Sequence, residues 1–241
     1  GQSYPAVDSD TVITATLRAN VPLLSGSLVT LSGLTGSQTA SGNLAMSSSG
    51  AFTASPAWDQ GGSLVFSALS DLPVADYVVS FTLRNAASAQ ASPAVSVSGS
   101  VECGADDAPI AAAAVSKPGS TVVGHPGGGD PLYAMVPTFE IKSLAQSSPL
   151  AYGNNFITVT LQGNIDLASA DASVITLSGF TSLTPTSSPV LLYNDTSKSA
   201  FSDGSTAGYA AFAGEALVLT VASGETVLAY VPYTFWFEVT N

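Results

Sequence analysis

Few residues in this chain could do covalent or metal chemistry. It has 241 residues, one histidine and one cysteine. Nucleophilic catalysis needs a base beside the nucleophile, yet His125 sits in the loop-like run GHPGGGDP and no serine lies in a G-x-S-x-G turn. The same run lacks the Lys-Ser/Thr pair and following helix of a phosphate cradle, so His125 is expected to be a solvent-exposed loop residue. Paired carboxylates could hydrolyse glycosides, with Glu102, Asp106 and Asp107 as candidates, but nothing in their spacing sets them across a cleft. Calcium is the metal that suits oxygen ligands such as Asp8, Asp10, Asp106, Asp107 and Asp130. None of these follows an EF-hand or RTX spacing, and solvated loop acids are the simpler reading. No cofactor and no enzyme activity are therefore expected. Cys103 cannot form an intrachain disulfide. It is a candidate interchain thiol, but the preferred reading is a buried, inert side chain, the usual fate of a free cysteine.

Attachment chemistry is better represented. Asn194-Asp195-Thr196 is an N-glycosylation sequon in a loop-like setting after VLLY. The cluster TSLTPTSSP offers the hydroxyls of Thr181, Ser182, Thr184, Thr186, Ser187 and Ser188 for O-linked sugar, with Pro185 and Pro189 as candidate modified prolines. The isolated Ser-Pro pairs at Ser55, Ser92 and Ser148 read as turn punctuation.

The surface that would carry such sugars is unusual. Only 9% of residues are charged, against about 25% in ordinary domains, while Ser and Thr make up about a quarter of the chain. With 46% hydrophobic residues and mean hydropathy +0.37, the composition favours a folded core over disorder. Five basic residues, scattered as Arg18, Arg84, Lys117, Lys142 and Lys198, form no phosphate-binding patch, and the net charge is −12. Nucleic acid is excluded as a partner on that ground. Apolar runs such as Ile110 to Val115 fall short of the roughly 20 residues of a membrane span. The first residues, GQSYPAVDSD, have neither the basic end nor the apolar block of a signal peptide, so a secreted form would be the mature one.

The elements that must position these residues come in two copies. ITATLRAN at Ile13 returns as ITVTLQGN at Ile157, and VTLSGLT at Val29 returns as ITLSGFT at Ile175, shifts of 144 and 146 residues. VVSFTLRN at Val78 matches TFWFEVTN at Thr234. Apolar residues alternate with Thr, Arg and Gln in these segments, the period of a half-buried strand. Further strands are expected over 63–69, 77–84, 94–101, 134–142, 217–222 and 233–240. Many short strands with Gly/Ser-rich turns predict an all-β chain of two tandem immunoglobulin-like β-sandwich domains of Greek-key type. The expected division is 1–102 for the first, 103–133 for a loop-rich connection, and 134–241 for the second. Trp58 and Trp236 are read as packing residues.

The copies are not cut alike. Gly1-Gln2-Ser3 and Pro5 match Ala145-Gln146-Ser147 and Pro149, but the strand leading into the second copy has no counterpart before the first. Downstream the first copy continues into AASAQASPAVSVSGSV, whereas the second ends at FEVTN. A sheet missing an edge strand is a template for another chain, and a head-to-tail contact of that kind propagates. The missing strands would come from neighbouring copies or from continuity of a longer polypeptide.

The motifs ITVTLQGN, VTLSGLT, SAQASPAVSVSGS, AAAAVSKPG and PLYAMVPTFEIKS, taken in order over nearly the whole chain, resemble repeat units of very long cell-surface or extracellular proteins of algae and other protists. The resemblance implies a heavily glycosylated fibre or coat and supplies no catalytic residues. The expected role is thus a structural protomer of an extracellular filament, its partners being copies of itself and covalent glycans, with no membrane insertion. An adhesive or carbohydrate-binding module is the alternative, with Trp58, Tyr152, Tyr209 and Tyr230 as possible platforms. Ice binding through the T-x-T pairs at Thr14 and Thr158 is weaker, since two copies make too small a face.

Overall fold

The structure is a computed structural model, and it describes residues 1–104, 106–194 and 196–241. It is all-β apart from two single 3-10 turns at Ser169–Asp171 and Lys198–Ala200, and its sheets are antiparallel and open. The chain divides into two compact units: Gly1–Val122 with Pro126–Val136, and Val123–His125 with Pro137–Asn241.

The first unit contains β1 (Asp10–Leu17), β2 (Leu28–Ser32), β3 (Gly42–Asn43), β4 (Met46–Ser47), β5 (Ala57–Asp59), β6 (Ser63–Ser67), β7 (Tyr77–Arg84), β8 (Ser96–Val101) and β9 (Ala108–Ala114). One sheet has the order β1-β7-β4, the other β3-β5-β6-β2-β8-β9. Alternation dictates which residues turn inward. Ile13 lies opposite Phe81 and Leu31 opposite Leu64, and all four belong to a single buried cluster with Val29, Phe52, Trp58, Phe66 and Val79. Phe52 meets Phe66 edge to face at 5.1 Å, a preferred geometry for aromatic pairs.

The second unit contains β10 (Phe139–Gln146), β11 (Asn154–Gly163), β12 (Leu167–Ala168), β13 (Val174–Ser178), β14 (Thr184–Pro185), β15 (Val190–Leu191), β16 (Phe201–Ser202), β17 (Tyr209–Ala213), β18 (Ala216–Val221), β19 (Thr226–Val227) and β20 (Tyr233–Thr240). Its main sheets are ordered β10-β11-β20-β14 and β13-β18-β17-β15, with β16 also on β18 and a small β12-β19 ribbon. Ile157 faces Phe237 and Ile175 faces Leu219, again within one buried cluster. The sequence repeat is therefore a repeat of pairing: β1, β7, β2 and β6 correspond to β11, β20, β13 and β18.

The division differs from 1–102, 103–133 and 134–241. Residues 103–133 are not a free connection, because β9 completes the larger sheet of the first unit. The Gly/Pro-rich run is also tied down. Gln2 donates through Nε2 to the carbonyls of Gly128 at 2.9 Å and Tyr133 at 2.8 Å, Gln90 Nε2 donates to Leu132 O at 2.8 Å, and Leu132 is fully buried. The strand expected over 134–142 begins at Phe139 instead, since Ala134 and Met135 are buried in the first unit and Pro137 has no N–H for a ladder.

Candidate functional site

The repeat makes each unit a control for the other. In the second unit β10 lies on β11, pairing Gln146 with Ile157, Ala145 with Thr158, Leu144 with Val159 and Lys142 with Leu161. In the first unit the same edge, that of β1, is paired among the described residues by a short segment, Gly1-Gln2. Gln2 bridges to Ile13, the Gly1 amino group donates to Thr14 O at 2.6 Å, and Thr14 N donates to Gly1 O at 2.9 Å. Gly1 and Gln2 thus occupy the places of Ala145 and Gln146.

The corner behind the stub confirms that equivalence atom by atom. Ser147 donates its N–H to Phe156 O at 3.0 Å and accepts from Phe156 N through Oγ at 2.8 Å. Ser3 does the same with Val12 at 3.1 and 2.9 Å. Asn155 Oδ1 accepts the N–H groups of Ser147 and Ser148, as Thr11 Oγ1 accepts those of Ser3 and Tyr4. Asn241 ties its side-chain amide to the carbonyls of Ser148 and Leu150, as Asn85 does to those of Tyr4 and Ala6 at 2.8 and 2.9 Å.

Beyond the stub β1 is bare. Alternate residues of an antiparallel strand point their N–H and C=O to the same side, so Thr16, two residues past Thr14, faces the open edge, where it has no backbone partner among the described residues. Beneath that edge runs a groove of about 620 Å³. Ala15, Leu17 and Ala19 form one wall, and Val97, Ile110 and Ala114 the floor. No charged side chain guards its middle, although edge strands are commonly protected by charge; Arg18 closes its far end and pairs with Asp76 at 3.4 Å.

The second unit is open on the other sheet. β2 is flanked by β6 and β8, whereas β13 has β18 on one side and, among the described residues, no strand on the other. A matched pair of glycines shows what is missing. Gly33 and Gly179 end equivalent strands with φ of +89° and +96°. A Cβ on Gly33 would collide with the Ala94 carbonyl oxygen in the segment leading to β8, while one on Gly179 would meet nothing within 4 Å.

The residues proposed for chemistry are dispersed. His125 is half-buried rather than solvent-exposed, with Nδ1 2.7 Å from the Tyr230 hydroxyl, because its loop segment packs within the second unit. Cys103 is exposed, not buried, since it lies in the turn between β8 and β9. Glu102 accepts from Gly104 N, Asp107 lies 3.4 Å from Ser100 Oγ, and Asp130 accepts from Gly119 N at 2.7 Å. Among the described residues no group of three or more His, Cys, Asp or Glu is placed to hold a metal, and no helix is long and apolar enough to cross a membrane.

The attachment residues have mixed settings. Thr181, Ser182, Thr184, Thr186, Ser187 and Ser188 are all exposed, on a segment that pairs with β20 through Thr184 and Pro185. Pro189 follows a cis peptide bond. Asp195 lies outside the described residues, but both ends of the Asn194 amide are engaged. Nδ2 donates to Thr234 O at 2.6 Å, and Oδ1 accepts from Thr196 N and Oγ1 at 3.1 and 3.0 Å. The bond to Thr234 uses one of the two Nδ2 hydrogens and holds the amide against β20.

The aromatic candidates are not grouped either. Trp58 is 3% exposed and donates Nε1 to Thr39 O; Tyr152 is 92% exposed. A different aromatic group was missed. Trp236, half-exposed rather than packed away, lies nearly parallel to Tyr193 (centroids 6.3 Å, 8° between planes), and Tyr193 meets Phe156 edge to face at 6.4 Å. Phe156 and Trp236 were legible as outward positions of alternating strands, but Tyr193 reaches them through an isolated bridge to Trp236 that no periodicity marks.

No protein-family model matches the chain, and neither the curated proteins nor the solved structures include a similar one.

Proposed function

We propose that this chain is a structural protomer of an extracellular, glycosylated filament or coat, built of two immunoglobulin-like sandwiches and joined head to tail by strand complementation or by continuity of a longer polypeptide. The observation that carries the proposal is the pair of open edges. Among the described residues β1 has no strand along the edge where β11 has β10, and β13 none where β2 has β8; a neighbouring copy or the continuation of a longer polypeptide would supply them. At the β1 edge Thr16 is unpaired among the described residues beside an apolar groove, the kind of site that takes up an added strand. Because the two edges differ, the contact is heterologous and extends into a polymer. The low charge and the exposed hydroxyls of 181–189 suit a surface covered by sugar and by neighbours. No enzyme activity or cofactor forms part of the proposal. Electron microscopy and sedimentation of the full chain over a concentration series test it: filaments growing with concentration are expected, and a 24.1 kDa monomer at all concentrations would overturn it.

The alternative, a carbohydrate-binding surface module, is favoured by the Phe156, Tyr193 and Trp236 group. Beside it Asn154 Nδ2 donates to Glu238 Oε1 at 3.0 Å, placing polar groups next to aromatic surface. It predicts glycan-array binding that Trp236→Ala abolishes.

A further inference from the structure

We infer that the outer face of the second unit at Phe156, Tyr193 and Trp236 is a platform for an uncharged hexopyranose oligosaccharide, with the Glu238 carboxylate accepting from the sugar's hydroxyls. This deepens the carbohydrate-binding reading and rests on it.

The repeat shows that the fold does not need these rings. Trp236 lies between Thr158 on β11 and Tyr193; in the first unit Ser80 lies in the same way between Thr14 on β1 and Ser47 on β4. Phe156 is opposed by Glu238, and its equivalent Val12 by Thr82. Three aromatic rings and a carboxylate therefore stand where the first unit has Val12, Ser47, Ser80 and Thr82. None of the three rings belongs to the buried cluster of the second unit, because they alternate with the inward Ile157, Leu192, Phe235 and Phe237. A sheet of the same pairing folds without them, and exposed apolar groups gathered in one patch point to a binding surface.

The surroundings of the rings set the class of ligand. A hexopyranose with mostly equatorial hydroxyls offers a C–H-rich face to an aromatic plane and a rim of hydroxyls to polar groups, the combination that small-molecule sites of this kind accommodate. Tyr193 and Trp236 are held 8° from parallel on backbones joined by reciprocal bonds of 2.8 and 3.2 Å. Their phenol hydroxyl and indole N–H add donors. At the rim the Glu238 carboxylate is fixed from two sides: Asn154 Nδ2 donates to Oε1 at 3.0 Å, and Thr186 Oγ1 donates to Oε2 at 3.4 Å. Each carboxylate oxygen keeps acceptor capacity for a sugar hydroxyl. An apolar protein segment laid here would bury that charge with no cation opposite it, which is costly. The negative rim, in a chain of net charge −12, also repels uronates and sulfated sugars, so the site selects uncharged ones.

Isothermal titration calorimetry of the full chain tests the inference, with cellohexaose, mannohexaose and galactohexaose as neutral probes and hexagalacturonate as the acidic one. At least one neutral probe should bind saturably at one site per chain, and hexagalacturonate at least tenfold more weakly. Trp236→Ser and Tyr193→Ser place on the platform the serines that the first unit carries there, and each should weaken binding at least tenfold with an unchanged circular dichroism spectrum. If Trp236→Ser does not fold, Tyr193→Ser decides. Glu238→Gln should weaken the neutral probe at least threefold and narrow its advantage over hexagalacturonate, a change of selectivity that a merely structural role would not produce. Binding that is lost in Trp236→Ser but is as tight for hexagalacturonate as for the neutral probes overturns the uncharged class and leaves the carbohydrate reading intact. No binding by any probe, or binding undiminished in both serine variants, overturns the platform.

Discussion

Replacing Asn85 with alanine tests whether the repeated corner holds the first unit together. Asn85 is completely buried, and its amide gives both hydrogens to the carbonyls of Tyr4 and Ala6. Losing two such bonds removes about 1 kcal/mol each. The small cavity left by the missing atoms adds about another 1 kcal/mol. Against this, Asn85 Oδ1 has no partner among the described residues, and its removal returns part of a desolvation penalty. The balance is a loss of about 2 to 3 kcal/mol. At roughly 3 to 5 °C per kcal/mol for a unit of this size, the unfolding transition of the first unit should drop by about 10 °C. Asn241 makes the equivalent bonds, but one acceptor, Leu150, is exposed, so water can replace the lost donor. Asn241→Ala should therefore cost about 1 kcal/mol. Differential scanning calorimetry of the two variants and the parent reads both values. If Asn85→Ala melts within about 2 °C of the parent, or no lower than Asn241→Ala, the argument from burial is wrong.

The matched glycines give a second comparison. Gly33→Ala must relieve a collision with Ala94 O at positive φ and should lose about 3 kcal/mol or more, whereas Gly179→Ala meets only the positive-φ penalty of about 1 kcal/mol; urea unfolding separates them. Asp203 accepts from Ser205 N, Thr206 N and Ser205 Oγ at 2.7 to 2.8 Å, and these bonds hold its carboxyl below the usual aspartate range. A depressed folded pKa means that the contribution is present above the ordinary aspartate range and is lost as pH falls through the lower folded value. NMR titration should find Asp203 taking up its proton only below the usual aspartate range as acid is added, and Ser205 and Thr206 amide shifts should follow the same curve. For Asn194, a folded chain treated with an oligosaccharyltransferase should remain unmodified by intact mass, while Thr234→Pro, which distorts the acceptor strand, should raise its modification.

The strands that could be read from sequence are those where burial alternates. YVVSFTLR and YTFWFEVT each place three apolar side chains on one face, and they form β7 and β20 with the expected bounds. β9 gave no such signal. Its sequence APIAAAA is exposed along almost its whole length, so nothing selects alternate positions, and only its ladder with β8 makes it a strand. β10 failed for a related reason: the apolar run before Pro137 suggested a strand starting at Ala134, but those residues fill the core of the first unit. The unequal flanks of the two copies are visible in the sequence itself. The groove was not, because its floor comes from β8 and β9 and its wall from β1, segments brought together only by the sheet order. The engagement of Asn194 likewise depends on Thr234, forty positions away.

The bonds from Gln2 to Gly128 and Tyr133 span 126 and 131 positions, and this separation sets an order on biosynthesis. Gln2 is buried, so in an emerging chain its amide stays with water and the site cannot close until residues beyond 130 have been made. Contacts between distant residues form late and slow folding. The first unit therefore cannot finish as a nascent domain on its first hundred residues; it waits for a clasp that lies just ahead of β10. The segment that locks the first unit and the strand that starts the second thus leave the ribosome together.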